Sequence, residues 1–120
     1  MKIPWPRIVA HYRDLAACES SFAGLQALSD YVASGTLADE LYAWTAAADL
    51  CISLIKPNQN FDDTYLRISH TQDGSLDFRY VDTHAGGIRW HRRVEAEQAI
   101  PGFLLCLEQM RWNSGEALQA

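Results

Sequence analysis

The chain has 120 residues, 48% hydrophobic and 21% charged, with 7 Gly and 4 Pro and a formal net charge of −5. That length fits one domain spanning residues 1–120, able to bury a core without metal or disulfide staples, and the composition excludes a disordered chain. The acidic balance opposes non-specific binding to a polyphosphate backbone, so no nucleic-acid partner is expected, and no apolar run approaches the roughly 20 residues of a membrane span.

The opening "MKIPWPRIVAHYRDL" lacks the apolar core of a signal peptide, and a cytoplasmic location is the expectation. Pro6 suits the first turn of a helix running to about Ala17, because a proline there has no N–H to leave unpaired. Ile8, Val9, Tyr12, Leu15 and Ala16 then share one helical face. A second helix is predicted after Ser20 or Ser21, either of which would cap it. It carries Phe22, Leu25, Leu28 and Val32 on one side and ends at Ser34-Gly35.

"TLADELYAWTAAADLCISLIK" supports two readings. Its alanines, leucines and acidic residues favour a helix from about Leu37 to Ile52. The β-prone cluster Tyr42, Trp44, Thr45 and the alternation of Leu50, Ile52, Leu54 with Cys51, Ser53 favour two strands, Glu40 to Thr45 and Asp49 to Leu54. The strand pair is the expectation and the helix its alternative. "KPNQNFDD" reads as a surface loop.

Beyond that loop, "TYLRISHTQDGSLDFRYVDT" holds two β-prone runs around Asp73-Gly74, a hairpin mark. A two-residue loop would set Ile68 opposite Arg79. A three-residue loop, Gln72-Asp73-Gly74 with Gly74 left-handed, instead pairs Leu66 with Tyr80, Ile68 with Phe78 and His70 with Leu76, which keeps one face apolar. "THAGG" forms the next loop, and Ile88 to Val94 a further antiparallel strand pairing Tyr80 with Trp90, Leu76 with Val94 and Asp82 with Ile88. Arg92 then sits opposite Phe78 on the buried side, where an edge position lets its side chain snorkel. The odd-numbered residues line up on the reverse face in three rows: Tyr65, Val81, Arg89; Arg67, Arg79, His91; and Ser69, Asp77, Arg93. Like charges facing each other across strands disfavour the sheet by roughly 0.2–1 kcal/mol per pair. The central row therefore needs a neutralising partner: Asp77, another acidic side chain, solvent, or a bound anion.

"EAEQAIPGFLLCLEQMRW" reads as a helix with Pro101 near its first turn and Phe103, Leu104, Leu107 and Met110 on one side, followed by a tail, about 113–120, that is expected to be disordered. The fold class is α+β: an antiparallel sheet of three to five strands with two N-terminal helices and one C-terminal helix packed on one face.

Catalytic signatures are sparse. Cys18, Cys51 and Cys106 are scattered among apolar neighbours, as expected of buried free thiols in a reducing compartment. The four histidines show no metal-ligand spacing, no G-x-S-x-G is present, and no cofactor is implied. Asp62-Asp63 reads as solvated loop charge, and Gly86-Gly87 lies between strands rather than before a helix, so it is no phosphate cradle. Trp44, Trp90, Trp112, Tyr42 and Tyr80 read as core, on the opposite sheet face from the arginines, which weakens a base-stacking reading.

"LYAWTAAADLCI", "LDFRYVDT", "IRWHR" and "FLLCLEQMRW" together resemble a group of small bacterial proteins of uncharacterised function, over about Leu41 to Trp112. The resemblance implies no activity and no catalytic residues. By analogy, small acidic single-domain bacterial proteins often act as immunity or antitoxin partners that block another protein. The functional expectation is a non-enzymatic protein-binding module of that kind, with acidic residues such as Asp14, Glu19, Asp39, Glu40, Asp62 and Asp63 to cover a basic active site, or the Arg/His rows to dock on an acidic patch. Two alternatives stand beside it. One is a small anionic-ligand binder or enzyme using Arg67, Arg79, Arg89, His91 and Arg93; the other is a homodimer formed through an exposed edge strand.

Overall fold

A computed structural model describes residues 3–54, 64–82 and 87–110. The "KPNQNFDD" loop, residues 83–86 of the next loop, and the 113–120 tail lie outside the described residues.

Helix α1 (Trp5–Cys18) begins directly after Pro4, with Pro6 in its first turn as its fixed φ allows. Its buried stripe is Trp5, Ile8 and Tyr12, with Leu15 and Ala16 packed half-buried beside them. Cys18, six residues beyond Tyr12, comes out on the other side of the helix and is exposed, contrary to the expectation of a buried thiol.

The serine cap expected for the second helix is not there. Ser20–Phe22 form a 3-10 turn that runs straight into α2 (Ala23–Ala33), so the Ala23 amide donates to the Ser20 carbonyl and no hydroxyl caps the helix. The Ser21 hydroxyl instead donates to Glu19 Oε2 at 2.6 Å. Leu25, Leu28 and Val32 form the buried face of α2, as their spacing predicts.

After a 3-10 turn at Thr36–Asp39 the chain makes two strands, β1 (Leu41–Ala46) and β2 (Asp49–Leu54), and not the alternative helix. Strands β3 (Thr64–His70), β4 (Leu76–Asp82) and β5 (Gly87–Val94) follow, in an antiparallel meander ordered β1-β2-β3-β4-β5. Helix α3 (Ala99–Met110) closes the described chain. It comes close to β5 because position 102 is glycine: a Cβ there would lie 3.0 Å from Val94 Cγ1.

The three-residue hairpin register is the observed one, with Leu66, Ile68 and His70 opposite Tyr80, Phe78 and Leu76. Gly74 has φ +89, and its amide donates to the Thr71 carbonyl at 3.0 Å. Between β4 and β5 the expected pairs hold from Leu76–Val94 to Tyr80–Trp90 and then slip. A bulge sets Val81 opposite Ile88 and Asp82 opposite Gly87, so the expected Asp82–Ile88 pair does not form. One extra residue on β5, Arg89, absorbs the shift.

All three helices contribute to one core. Ile8, Tyr12, Leu25, Leu28, Val32, Phe103, Cys106 and Leu107 meet Leu41, Ala43, Leu50, Ile52, Leu66, Ile68, Leu76 and Phe78 from the sheet. Each large side chain so buried stabilises the fold by about 1.5–3 kcal/mol. The helices thus cover one sheet face, and among the described residues no helix is long and apolar enough to cross a membrane.

Candidate functional site

Strand parity decides what the other face carries. The β2–β3 and β3–β4 registers pair even residues with even, so Leu50, Ile52, Leu66, Ile68, Leu76 and Phe78 all turn towards the helices. The β1–β2 loop is only two residues, Ala47-Ala48, and pairs even with odd: Tyr42 with Ser53, Trp44 with Cys51, Ala46 with Asp49. Leu41 and Ala43 therefore enter the core, while Tyr42 and Trp44 join the odd-numbered residues of β2, β3 and β4 on the open face, the one turned away from the helices, although Cys51 and Ser53 on it are buried.

This corrects the expectation that aromatics and arginines occupy opposite faces. One row crosses the sheet as Trp44, Cys51, Arg67, Arg79 and His91. Beside it Ser69, Asp77 and Arg93 form the expected second row. The third row is Tyr65 and Val81 with Ile88, not Arg89, because of the bulge. Trp44 and Tyr65, both half-buried, have ring centroids 5.3 Å apart at 58°. Of the other tryptophans and tyrosines expected in the core, Tyr80 packs half-buried against it on the helix side, while Trp112 and the side chain of Trp90 lie outside the described part of the structure.

Asp49 neutralises the charged row. Its Oδ2 accepts from Arg67 Nε at 2.7 Å and from Arg79 Nη2 at 3.4 Å, so one carboxylate from β2 binds arginines of β3 and β4. The hydrogen bond to Asp49 is the main reason the Arg67 pKa is raised. Arg79 Nη2 also donates to Ser69 Oγ, and Asp77 Oδ2 lies 3.9 Å from Arg79 Nε. The Arg67 and Arg79 side chains remain 31% and 28% exposed, which places these contacts near the surface-pair range of about 1 kcal/mol or less each. Asp49 is thus the other acidic side chain the row calls for, beside Asp77, and its position next to Arg67 follows only from the Leu50–Ile68 pairing.

The five residues proposed for an anion thus separate into three groups. Arg67 and Arg79 share Asp49; His91 and Arg93 are exposed at the end of the rows, with Arg93 4.0 Å from Asp73; Arg89 is the inserted residue of the bulge. Arg92 lies on the helix side, as its parity requires, and reaches to α3, where Nη2 donates to Gln109 Oε1 at 3.1 Å. Beneath the open face, Cys51 is 1% exposed and burial pushes its thiol up to about 11, against the pull of Arg67 and Arg79. A thiol so protonated is a poor nucleophile. Burial does the same to Cys106, also to about 11.

The acidic residues named from sequence do not gather on this face. Asp14 and Glu19 belong to α1 and its C-terminal end, where Glu19 Oε2 lies 3.8 Å from His70 Nε2, and Asp39 and Glu40 precede β1. Asp62 and Asp63 lie outside the described residues. Aromatics and arginines thus share a face, with Asp49 and Asp77 setting negative charge among the rows. No family model, curated protein or solved structure matches the chain.

Proposed function

We propose that the chain is a protein-binding module whose partner docks on the open face of the sheet, with an immunity-like inhibitor as its most concrete form. The observation that carries this reading is the patch itself: Trp44 against Tyr65, next to Arg67 and Arg79 held by Asp49, on the face the three helices leave uncovered. Trp, Tyr and Arg supply most of the binding energy at protein interfaces, because each combines a large apolar body with a directional polar tip. Arginines already held by Asp49 lose less side-chain freedom on docking than free ones. The net charge of −5 favours encounter with a basic partner, while the arginines on the face give it local contacts for carboxylates.

The test is site-specific photo-crosslinking in native cell extract, with a photoreactive phenylalanine at position 44 and, as control, at Arg13 on the exposed side of α1. One discrete protein adduct is expected from position 44 and none from position 13, and Arg67→Ala should diminish it. No adduct at position 44, or the same adducts from both positions, would sink the proposal.

A further inference from the structure

The two edges of the sheet are finished differently. On β1 the chain closes its own edge: Trp5 Nε1 donates to the Leu41 carbonyl at 3.0 Å, and the Ile3 amide donates to the Ala43 carbonyl at 2.6 Å. Any incoming strand must first displace the segment that starts α1, so the alternative of a homodimer through an exposed edge strand would here have to compete with two hydrogen bonds already made. β5, at the other end of the strand order, is bordered by another strand only on its β4 side among the described residues. Its eight residues "GIRWHRRV" hold three of the chain's eight arginines and one of its four histidines.

That charge selects among occupants. An antiparallel second copy aligned on β5 would bring the arginines of both strands side by side, and like charges directly opposite destabilise a pair. Basic residues on an edge are a known guard against such self-pairing. An extended segment carrying carboxylates meets the opposite situation: the Arg93 guanidinium offers a fork that matches a carboxylate, while the strand edge supplies main-chain hydrogen bonds. His91 and Arg93 are exposed, and the Arg93 side chain, 60% exposed, lies 4.0 Å from Asp73.

We propose that β5 is an acceptor edge for an extended acidic segment of a partner protein, which adds to the sheet as a sixth strand. This site adjoins the open face, at whose end His91 and Arg93 lie, but it uses the β5 backbone and does not involve Trp44 or Tyr65.

The experiment titrates the intact, nitrogen-15-labelled chain with a short end-blocked peptide alternating valine and glutamate. Amide shifts and slowed hydrogen exchange should be centred on β5, and affinity should fall with salt. His91→Glu with Arg93→Glu, both at exposed positions, should weaken binding by roughly tenfold, since each surface charge contact contributes up to about fivefold. A peptide N-methylated on alternate amides should lose binding, because strand addition needs its main-chain donors. The proposal is overturned if β5 amides do not respond at millimolar peptide, or if the N-methylated or lysine-for-glutamate peptide binds equally well. It is also overturned if light scattering finds a dimer with β5 protected. Trp44→Ala should leave peptide binding unchanged, so a failed crosslink at position 44 and a failed peptide titration are separate results.

Discussion

The two hairpins of this sheet reach their registers by different routes. β3 and β4 are joined by Gln72-Asp73-Gly74, whose residues match what the backbone needs. Gly74 takes φ +89 without a side-chain clash, and the Asp73 carboxylate accepts from the Thr71 hydroxyl and, at 2.9 Å, from the Ser75 amide. β1 and β2 are joined by Ala47-Ala48, and Ala47 holds φ +55, a conformation that costs a residue with a Cβ about 1–2 kcal/mol. One hairpin is specified by its turn; the other is imposed on its turn by the strands. The second kind has the larger consequence, because its two-residue loop inverts parity and delivers Tyr42 and Trp44 to the open face.

The contrast can be broken first at Gly74. Gly74→Val should destabilise the chain by about 2 kcal/mol, the cost of a β-branched residue in left-handed backbone, as measured by the urea midpoint. Asp49→Ala comes next. It removes the carboxylate shared by Arg67 and Arg79 and leaves like charges opposite each other, for an expected loss of about 1.5 kcal/mol. A double-mutant cycle with Arg79→Leu should recover part of that loss, and strict additivity would show that the Asp49 contact contributes nothing.

Ala47→Gly acts in the opposite direction. Relief of the positive φ should exceed the added flexibility of the unfolded chain, giving a gain of about 0.5–1 kcal/mol in the same measurement; a loss would mean that Ala47 is unstrained. The smallest effect concerns pH. Hydrogen bonds from Thr71 and Ser75 hold Asp73 down at about 2, so its contribution to stability is complete above the ordinary carboxylate range and is lost as pH falls towards that value. Asp73→Asn should therefore lose less stability than the parent chain between about pH 4 and pH 2, and equal slopes would show that the turn carboxylate is not responsible.

Much of the architecture was legible because it depends on neighbours in sequence. Pro6, the apolar stripe of α1 and the Asp73-Gly74 loop each carry their conformational reason within a few residues. The face parity of β3 and β4 follows from the three-residue loop and the apolar face it gives, and the same parity carried into β5 adds His91 to Arg67 and Arg79. The candidate site was only half legible for the same reason. Tyr65, Arg67 and Arg79 share a face by the parity of β3 and β4, but Trp44 and Asp49 join them only through pairings that span β1 to β3.

The sequence by itself determined the three helices and the strands β3 to β5, favoured strands over a helix after Leu37, and set the apolar register of the central hairpin, since propensity, periodicity and a glycine turn all act locally. Only the tertiary structure decided the parity of β1, the carboxylate that neutralises the arginines, and the bulge at Arg89. Ala47-Ala48 has no turn signature, and a bulge is marked by no residue type of its own. The parity of β1 is set by which side chains the helices bury, Leu41 and Ala43, and that is a property of the assembled core.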